Sequence, residues 1–446
     1  MEKVLIQDNI SQYTRSEEQI LAPGLYKSGS IFTQLIASWD ELIAANVVSE
    51  EGHAYFGNGM YPTHKAMDIL AGDLVLPEGI TELADYAYSA CDRLTEIILP
   101  QSLIRIGNSA FDYCDGLTEL IIPDSVTSIG KSAFEECIHI EKVTIGPNVT
   151  YFGDFAFANC VGITKVTIKE GATLIGPWSF CSCKKLTEIK IPSTITTIRE
   201  GAFSSCRKLN SINIPANTTS INPRAFVSCE GVTSITVDAN NAVYHSKDNC
   251  LIETNSKTLV LVCANSTIPN DGSVTKIGDY AFCASNERTD IMLPDKITSI
   301  GEGAFSYCKL VNVFIPKNVK SIDAYAFSSC CNLAAVTFQK GSRLTVIGTG
   351  AFDGCSSLVN IEIPDSVITI ERNAFCDCPN LSTVSLGAEN SHLGTIGNFV
   401  FYNCHALSTF IFAGSGKKWS RTSLGIDWCR QSLLSHIVCS DGLFSF

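Results

Sequence analysis

The sequence predicts an α/β repeat solenoid, a curved rod of similar coils that bury their apolar side chains against one another. The first observation is an Ala-Phe pair followed three residues later by cysteine, as in Ala110, Phe111 and Cys114. This pattern or a close variant recurs in about 13 units, at intervals of 22 to 26 residues. The second observation is the length of 446 residues, which is more than one compact core usually spans. An elongated array of repeats explains both observations.

The unit that contains Phe134 shows how each element follows from its residues. Alternating apolar residues form a short strand, which Pro123 ends because proline has no N–H for the ladder. Gly130 is expected to permit a tight turn. The Ala-Phe pair then enters a short helical or 3₁₀ turn, and Cys137 closes the coil before the next strand. No unit can bury its apolar side alone, so the coils must stack.

Stacking fixes the relation between neighbouring coils. Strands that recur once per coil must lie parallel, roughly 4.8 Å apart. Equivalent side chains then form columns inside the solenoid, and the aromatic ring of each unit is expected to contact the ring of the next. In the first half of the array this aromatic column contains Phe111, Phe134, Phe157, Phe180 and Phe203.

Twelve of the 20 cysteines occupy one repeat position. They are Cys91, Cys114, Cys137, Cys160, Cys183, Cys206, Cys229, Cys308, Cys330, Cys355, Cys378 and Cys404. A metal site or a disulfide needs cysteines that converge, whereas one thiol per coil predicts a column of small buried side chains. Cys181 with Cys183 resembles a ligand pair, as does Cys376 with Cys378, but neither has a second pair at zinc spacing. No metal site and no cofactor is predicted, and so many unpaired thiols fit a reducing compartment.

The array needs a cap at each end, because its terminal coils would otherwise expose apolar surface and unpaired strand edges. Residues 1–70 lack the repeat and are predicted to form an N-terminal capping segment, whose short helix begins at the capping box Ser38–Glu41. The repeats occupy residues 71–412. Residues 413–446 are predicted to form the C-terminal cap, with its two tryptophans over the last coil and a final strand at Val438 and Cys439.

One coil, at residues 238–273, is enlarged. The step from Ala225 to Ala281 is 56 residues, which is one repeat of 23 and 33 more. Two apolar runs, Cys250–Glu253 and Thr258–Val262, flank a polar turn. This arrangement predicts a β-hairpin built into the enlarged coil.

The repeat resembles that of a known family. The pattern Ile-Pro-x-Ser-Val-Thr-x-Ile-Gly-x-x-Ala-Phe-x-x-Cys-x-x-Leu resembles the BspA-like leucine-rich repeat, and residues 122–140 reproduce it with Ile140 in place of the final leucine. The resemblance covers residues 72–412. It implies a right-handed solenoid with a parallel sheet on the concave face and short helical or 3₁₀ turns opposite. It also implies a bacterial surface or secreted protein, in some cases an adhesin for host or matrix proteins.

Charge and motifs limit the function. The net charge of −13 argues against nucleic acid or anionic membrane as a partner, and no apolar stretch reaches the roughly 20 residues of a membrane-spanning helix. None of the seven histidines lies in a Ser-His-Asp or Cys-His setting, so no catalytic residue and no enzymatic activity is predicted. The first residues carry no basic-then-apolar signal peptide, which favours the cytoplasm, whereas the family resemblance favours export. The sequence therefore leaves localisation and oligomeric state open.

The outward face of the strand sheet is the strongest candidate for binding. Repeat solenoids commonly bind partners there, and apolar side chains where solvent is expected often mark a contact. The candidate ligand-binding residues are Glu96, Ile98, Glu119, Ile121, Met292 and Phe314. They predict a non-enzymatic protein-interaction or adhesion module that binds a protein or glycan surface. The alternative is an intracellular structural scaffold without a dedicated ligand, in which Glu119 and Lys142 only pair across neighbouring strands.

Overall fold

The computed structural model describes residues 53–54, 72–76, 78–263, 266–283, 288–386, 392–412, 436–439 and 442–445. The helix predicted after Ser38 and the tryptophans predicted to cover the last coil, Trp419 and Trp428, lie outside these residues. The chain separates into two compact units, Met1–Ala242 and Val243–Phe446. Within the described ranges, no helix is long and apolar enough to cross a membrane.

In the first unit, each coil contributes one strand to the long-strand sheet, whose paired neighbours run parallel. Its strands are Gly72–Val75, Leu94–Ile98, Glu119–Ile121, Lys142–Ile145, Lys165–Ile168, Glu188–Lys190, Ser211–Ile214 and Ser234–Val237. Inward and outward side chains alternate, so that Leu120 is buried between two exposed residues. Among the described residues, hydrogen-bonded pairing lapses between Leu94–Ile98 and Glu119–Ile121, and again between Glu188–Lys190 and Ser211–Ile214.

A second parallel sheet, which the sequence did not predict, consists of two-residue strands, and among the described residues its hydrogen-bonded pairing lapses between Tyr151–Phe152 and Leu174–Ile175. These strands are His53–Ala54, Glu82–Leu83, Arg105–Ile106, Ser128–Ile129, Tyr151–Phe152, Leu174–Ile175, Thr197–Ile198 and Ser220–Ile221. Ile129, in one of these strands, has a fully buried side chain. Two residues are too short for the alternation that identifies a strand in a sequence, and only the coil-to-coil hydrogen bonds reveal this sheet.

The prediction of a short helical or 3₁₀ turn after each glycine is wrong for the described residues. In the repeat that contains Phe134, this segment consists of turns, and Ser132 and Glu136 take left-handed φ angles of 54° and 59°. Two left-handed residues four positions apart cannot belong to a right-handed helix. The N–H groups of Ser132 and Phe134 instead donate to the carbonyl oxygens of Asp154 and Ala156 in the next coil, both at 2.8 Å. The turns therefore form a third line of hydrogen bonds between coils.

The second unit begins with the enlarged coil. Cys250–Glu253 and Thr258–Val262 pair antiparallel, as the predicted hairpin requires, and Tyr244–Lys247 adds a third antiparallel strand before them. Thr258–Val262 then pairs parallel with Lys276–Ile277, so the hairpin continues into the short-strand sheet of this unit. The remaining strands of that sheet are Ser299–Ile300, Ser321–Ile322, Val346–Ile347, Thr369–Ile370 and Thr395–Ile396.

The long strands of the second unit form two sheets. The first contains Asp290–Met292, Asn312–Ile315 and Ala335–Phe338. The second contains Asn360–Ile363, Thr383–Leu386, Thr409–Phe412, His436–Cys439 and Gly442–Ser445. Its last pair is antiparallel, and the strand predicted at Val438 and Cys439 is present.

The predicted aromatic column is present in both units. In the first unit, Tyr88 and the six phenylalanines from Phe111 to Phe226 stack at ring-centroid distances of 5.1–5.7 Å, with planes inclined by 3–12°. In the second unit, the rings from Phe282 to Phe401 stack at 4.7–5.5 Å. Most of these rings are fully buried. Each ring therefore depends on the coils on both sides, which is why a single coil cannot fold alone.

The column cysteines have a role that their spacing did not reveal. Cys137 Sγ donates to the carbonyl oxygen of Phe111 in the preceding coil at 3.0 Å, and Cys160 donates to that of Phe134 at 2.9 Å. The same contact recurs along the column at 2.9–3.4 Å. Eleven of the twelve column cysteines are buried. The column thus fills space and also joins coil to coil by thiol hydrogen bonds.

The buried thiols are expected to resist alkylation in the folded protein. Burial raises the pKa of Cys330 to about 12, and raises that of Cys137 well above its usual range. A raised pKa leaves the thiol protonated at neutral pH, and only the thiolate is a nucleophile. Iodoacetamide should therefore label the exposed Cys331 quickly and the column slowly, as measured by peptide mass spectrometry. Equal labelling rates for Cys331 and the column would contradict this prediction, and the unfolded protein is the control.

Candidate interaction surface

Four of the six residues predicted to bind a ligand lie together in the first unit. Glu96, Ile98, Glu119 and Ile121 all line one cavity of about 610 Å³ on the long-strand sheet. They occupy alternating outward positions on strands of neighbouring coils. The exposed fraction is 42% for Ile98 and 58% for Ile121, so both isoleucines offer apolar area to solvent. The structure thus brings two carboxylates and two apolar side chains to one place.

This cavity lies at an interruption of the sheet. Among the described residues, Leu94–Ile98 and Glu119–Ile121 are neighbours without hydrogen-bonded pairing, whereas Glu119–Ile121 pairs regularly with the strand that follows. The remaining lining comes from polar and apolar residues around the two strands, and none of the described lining residues is basic. The site is therefore acidic and partly apolar, and its two carboxylates lie on neighbouring strands.

The outward charges partly compensate one another. Glu119 is in register with Lys142, and Lys165 is in register with Glu188. Opposite charges at these positions favour the folded sheet by themselves. Glu96 differs, because its strand has no hydrogen-bonded pairing with the strand of Glu119 among the described residues and so offers it no lysine in register there. Pairing across strands therefore accounts for Glu119 but not for Glu96.

The other two predicted residues belong to the second unit. Met292 and Phe314 lie opposite each other on neighbouring parallel strands. Met292 is 87% exposed and Phe314 is 47% exposed. Neighbouring apolar side chains of this size on a surface are unusual where solvent is the only contact. The predicted binding residues thus form two groups, one in each unit.

One group of described side chains could hold a cation. The ligand atoms of Asp353, Cys376 and Asp377 all lie within 4.8 Å of one another. Cys376 Sγ donates to Asp377 Oδ2 at 3.4 Å, and burial together with this hydrogen bond raises the pKa of the thiol. A structural zinc site uses four deprotonated or neutral ligands in a closed set, and this group supplies a protonated thiol and two carboxylates. The predicted lack of a metal site stays a prediction.

Sequence reasoning missed a second cavity, of about 530 Å³, in the second unit. It lies where Ala335–Phe338 and Asn360–Ile363 are neighbours without hydrogen-bonded pairing among the described residues. The signal in the sequence was the irregular step of 25 residues from Ala326 to Ala351. An unusually long coil was visible there, but the residues that it would place around a cavity were not.

Comparison with known proteins identifies the family. The model of the BspA type leucine rich repeat region matches residues 70–184, 151–272, 262–344 and 331–438, which together are most of the chain. The chain belongs to the BspA-type leucine-rich repeat family. The predicted family resemblance and the solenoid fold are thereby confirmed, and the fold is one that generally mediates protein interactions.

Solved structures of leucine-rich repeat proteins give the same fold. A leucine-rich repeat protein from Eubacterium ventriosum is 27% identical, with a TM-score of 0.61 over 72% of this chain and 84% of that chain. A leucine rich cell surface protein from Faecalibacterium prausnitzii is 25% identical, with a TM-score of 0.52 over 80% of this chain and 90% of that chain. No curated protein matches this chain. The comparisons therefore give family and fold, and neither names a partner.

Proposed function

We propose that this protein is a non-enzymatic interaction module that binds a partner protein through the long-strand sheet of its first unit. The observation that carries the proposal is the shared cavity of Glu96, Ile98, Glu119 and Ile121, in which exposed apolar side chains adjoin carboxylates. The partner would place an apolar side chain between the isoleucines and a Lys or Arg side chain against Glu96. Its affinity would come mainly from the apolar contact, because exposed ion pairs contribute little.

Adhesion at a cell surface is the form of this function that the family favours. The relative from Faecalibacterium prausnitzii is described as a cell surface protein. The exposed pair Met292 and Phe314 offers a separate apolar contact area in the second unit. An interaction spread over several coils suits a protein surface better than a single small ligand.

A structural scaffold inside the cell is the second candidate, and the thiols favour it. The 18 cysteines whose side chains the structure describes are free, and the column depends on protonated thiols that donate hydrogen bonds. Reduced cysteines persist in the cytosol, whereas disulfides prevail in oxidising compartments. Fractionation of cells that produce the protein separates the two candidates, because a scaffold stays with the cytosol and an adhesin reaches the exterior.

Replacing Ile98 and Ile121 together with serine is expected to weaken partner binding strongly. The double variant removes the apolar contact but leaves the buried column untouched, so the fold should persist. Partners are first captured from host or matrix proteins by the wild-type chain and identified, and their affinity is then measured by biolayer interferometry. A loss of at least roughly tenfold is expected, since burying one such side chain is worth about 1.5 kcal/mol or more.

Ile104 provides the matched control. Its side chain is 47% exposed, like those of the two isoleucines, but it precedes the short strand Arg105–Ile106 and does not line the cavity. Ile104→Ser should therefore bind the partner like the wild type. If the Ile98/Ile121 double variant also kept its full affinity, the proposed surface would be wrong.

A further inference from the structure

The cavity in the second unit results from an irregular coil. The step from Ala326 to Ala351 is 25 residues, whereas the following step to Ala374 is 23. The additional residues form a loop at 339–343, in which Gly341 takes a left-handed φ of 77°. The loop widens the coil beside the lapse in strand pairing and so opens about 530 Å³. This volume lies in the range of small-molecule sites, roughly 300–1,000 Å³.

Hydrogen bonds hold the loop in place. Gln339 Oε1 accepts from the Lys317 N–H at 2.8 Å, and the Arg343 N–H donates to the Lys317 carbonyl oxygen at 2.9 Å. On the opposite wall, Ser366 Oγ donates to the Leu344 carbonyl oxygen at 2.7 Å. Both walls are thus fixed by bonds between coils, so a ligand would find the cavity already formed.

One wall contains a buried acceptor that lacks a donor. Asp365 Oδ1 is buried and has no hydrogen-bond partner among the described residues. Buried polar atoms are nearly always hydrogen-bonded, so this carboxylate lacks, among the described residues, the donor that such a position ordinarily has. The equivalent residue of an earlier repeat is Asp124, in the same Ile-Pro-Asp-Ser-Val sequence, and its Oδ1 contacts Lys169 Nζ at 2.6 Å. Asp365 lines the cavity and has no such contact.

The rest of the lining selects the chemistry of the ligand. Exposed Glu362 and Lys340 add one carboxylate and one ammonium group, and exposed Asn360 adds an amide that can donate and accept. Phe338 is half-buried and presents part of its ring. The two carboxylates outnumber the one ammonium group and so disfavour phosphates and other anions. The ammonium group of Lys340 disfavours cations, and the polar lining disfavours purely apolar molecules. A ligand with several hydroxyl groups and an apolar ring face satisfies every group.

We propose that this cavity binds a neutral saccharide. A ring hydroxyl donates to the carboxylate of Asp365, neighbouring hydroxyls bond to Glu362, Asn360 and Lys340, and the C–H face of the ring lies against Phe338. None of these residues belongs to the surface proposed to bind protein, so the two proposals stand or fall independently.

The test is saturation-transfer difference NMR on the full chain. The probes are D-glucose, D-galactose, D-mannose, N-acetyl-D-glucosamine, lactose and cellobiose, with L-arginine and inorganic phosphate as further arms. We expect saturable binding of at least one sugar with a millimolar or tighter Kd. Asp365→Asn should weaken it roughly tenfold, because a hydrogen bond to a charged carboxylate is stronger than one to a neutral amide oxygen. Phe338→Ile, which installs the residue found at Ile315 and Ile363, should weaken it while keeping the fold.

Asp124→Asn is the matched control, since it makes the same change at the same repeat position outside the cavity. It should leave the sugar affinity unchanged, and circular dichroism should show all three variants folded. The proposal is overturned if no sugar binds at millimolar concentration, or if Asp365→Asn and Phe338→Ile both bind the sugar as the wild type does. Binding of arginine or phosphate in place of every sugar would overturn it as well.

Discussion

Replacing Phe134 with alanine is expected to lower the free energy of unfolding by about 3–5 kcal/mol, the usual cost of removing a buried phenylalanine. The ring is fully buried and stacks on Phe111 at 5.1 Å and on Phe157 at 5.2 Å. Alanine would leave a cavity between two rings that the hydrogen bonds of the coils hold apart. Guanidinium unfolding followed by circular dichroism measures the loss.

Tyr151 is the control for the Phe134 variant. It is an aromatic residue of the next coil, but its side chain is 57% exposed. Tyr151→Ala should therefore change the free energy of unfolding by only about 0.5 kcal/mol, as surface substitutions usually do. A loss below about 1 kcal/mol for Phe134→Ala, no greater than that of the control, would show that the aromatic column does not stabilise the stack.

Replacing Gly153 with alanine is expected to lower the free energy of unfolding by about 1–3 kcal/mol, as overpacking of a tight interior does. An added Cβ would lie 2.3 Å from the carbonyl carbon of Gly130 and from the amide nitrogen of Lys131. These are backbone atoms and cannot rotate away. The Gly153 N–H also donates to the Ile129 carbonyl oxygen at 2.8 Å, so separating the coils would break this bond.

Gly394 is the control for the Gly153 variant. The nearest atoms to an added Cβ there are the carbonyl oxygens of Ile368 and His392, at 3.8 and 4.0 Å. Gly394→Ala should be neutral or slightly stabilising, because alanine restricts the unfolded chain more than glycine does. Thermal unfolding of both variants tests the comparison. Equal melting temperatures for the two variants would contradict close backbone approach as the reason for glycine at position 153.

The glycines show how a correct pattern can have a different cause. The sequence predicted that Gly130 permits a tight turn, yet Gly130 does not take a left-handed conformation. An added Cβ would instead lie 2.4 Å from the carbonyl carbon of Gly107 in the preceding coil. Distances between coils are invisible in one unit of sequence, and only the stacked structure shows that this position must be glycine.

The interaction surface could be predicted only in part. Alternation along the strands correctly placed Glu96, Ile98, Glu119 and Ile121 outward, because a strand side chain can point only to one face or the other. Whether such residues share a cavity depends on where strand pairing lapses. The lapse has no signature in the residues themselves, since paired and unpaired coils have similar strands.

The sequence by itself determined the repeat, the stacked aromatic and thiol columns, and the hairpin of the enlarged coil, because each follows from the types and spacing of residues within one or two units. The tertiary structure alone decided the short-strand sheet, the left-handed turns, the hydrogen bonds from thiols to the preceding coil, and both cavities. The physical reason is that these features depend on how closely neighbouring coils approach each other. The periodicity of the sequence predicts which residues contact one another, and only the folded structure gives the distances between them.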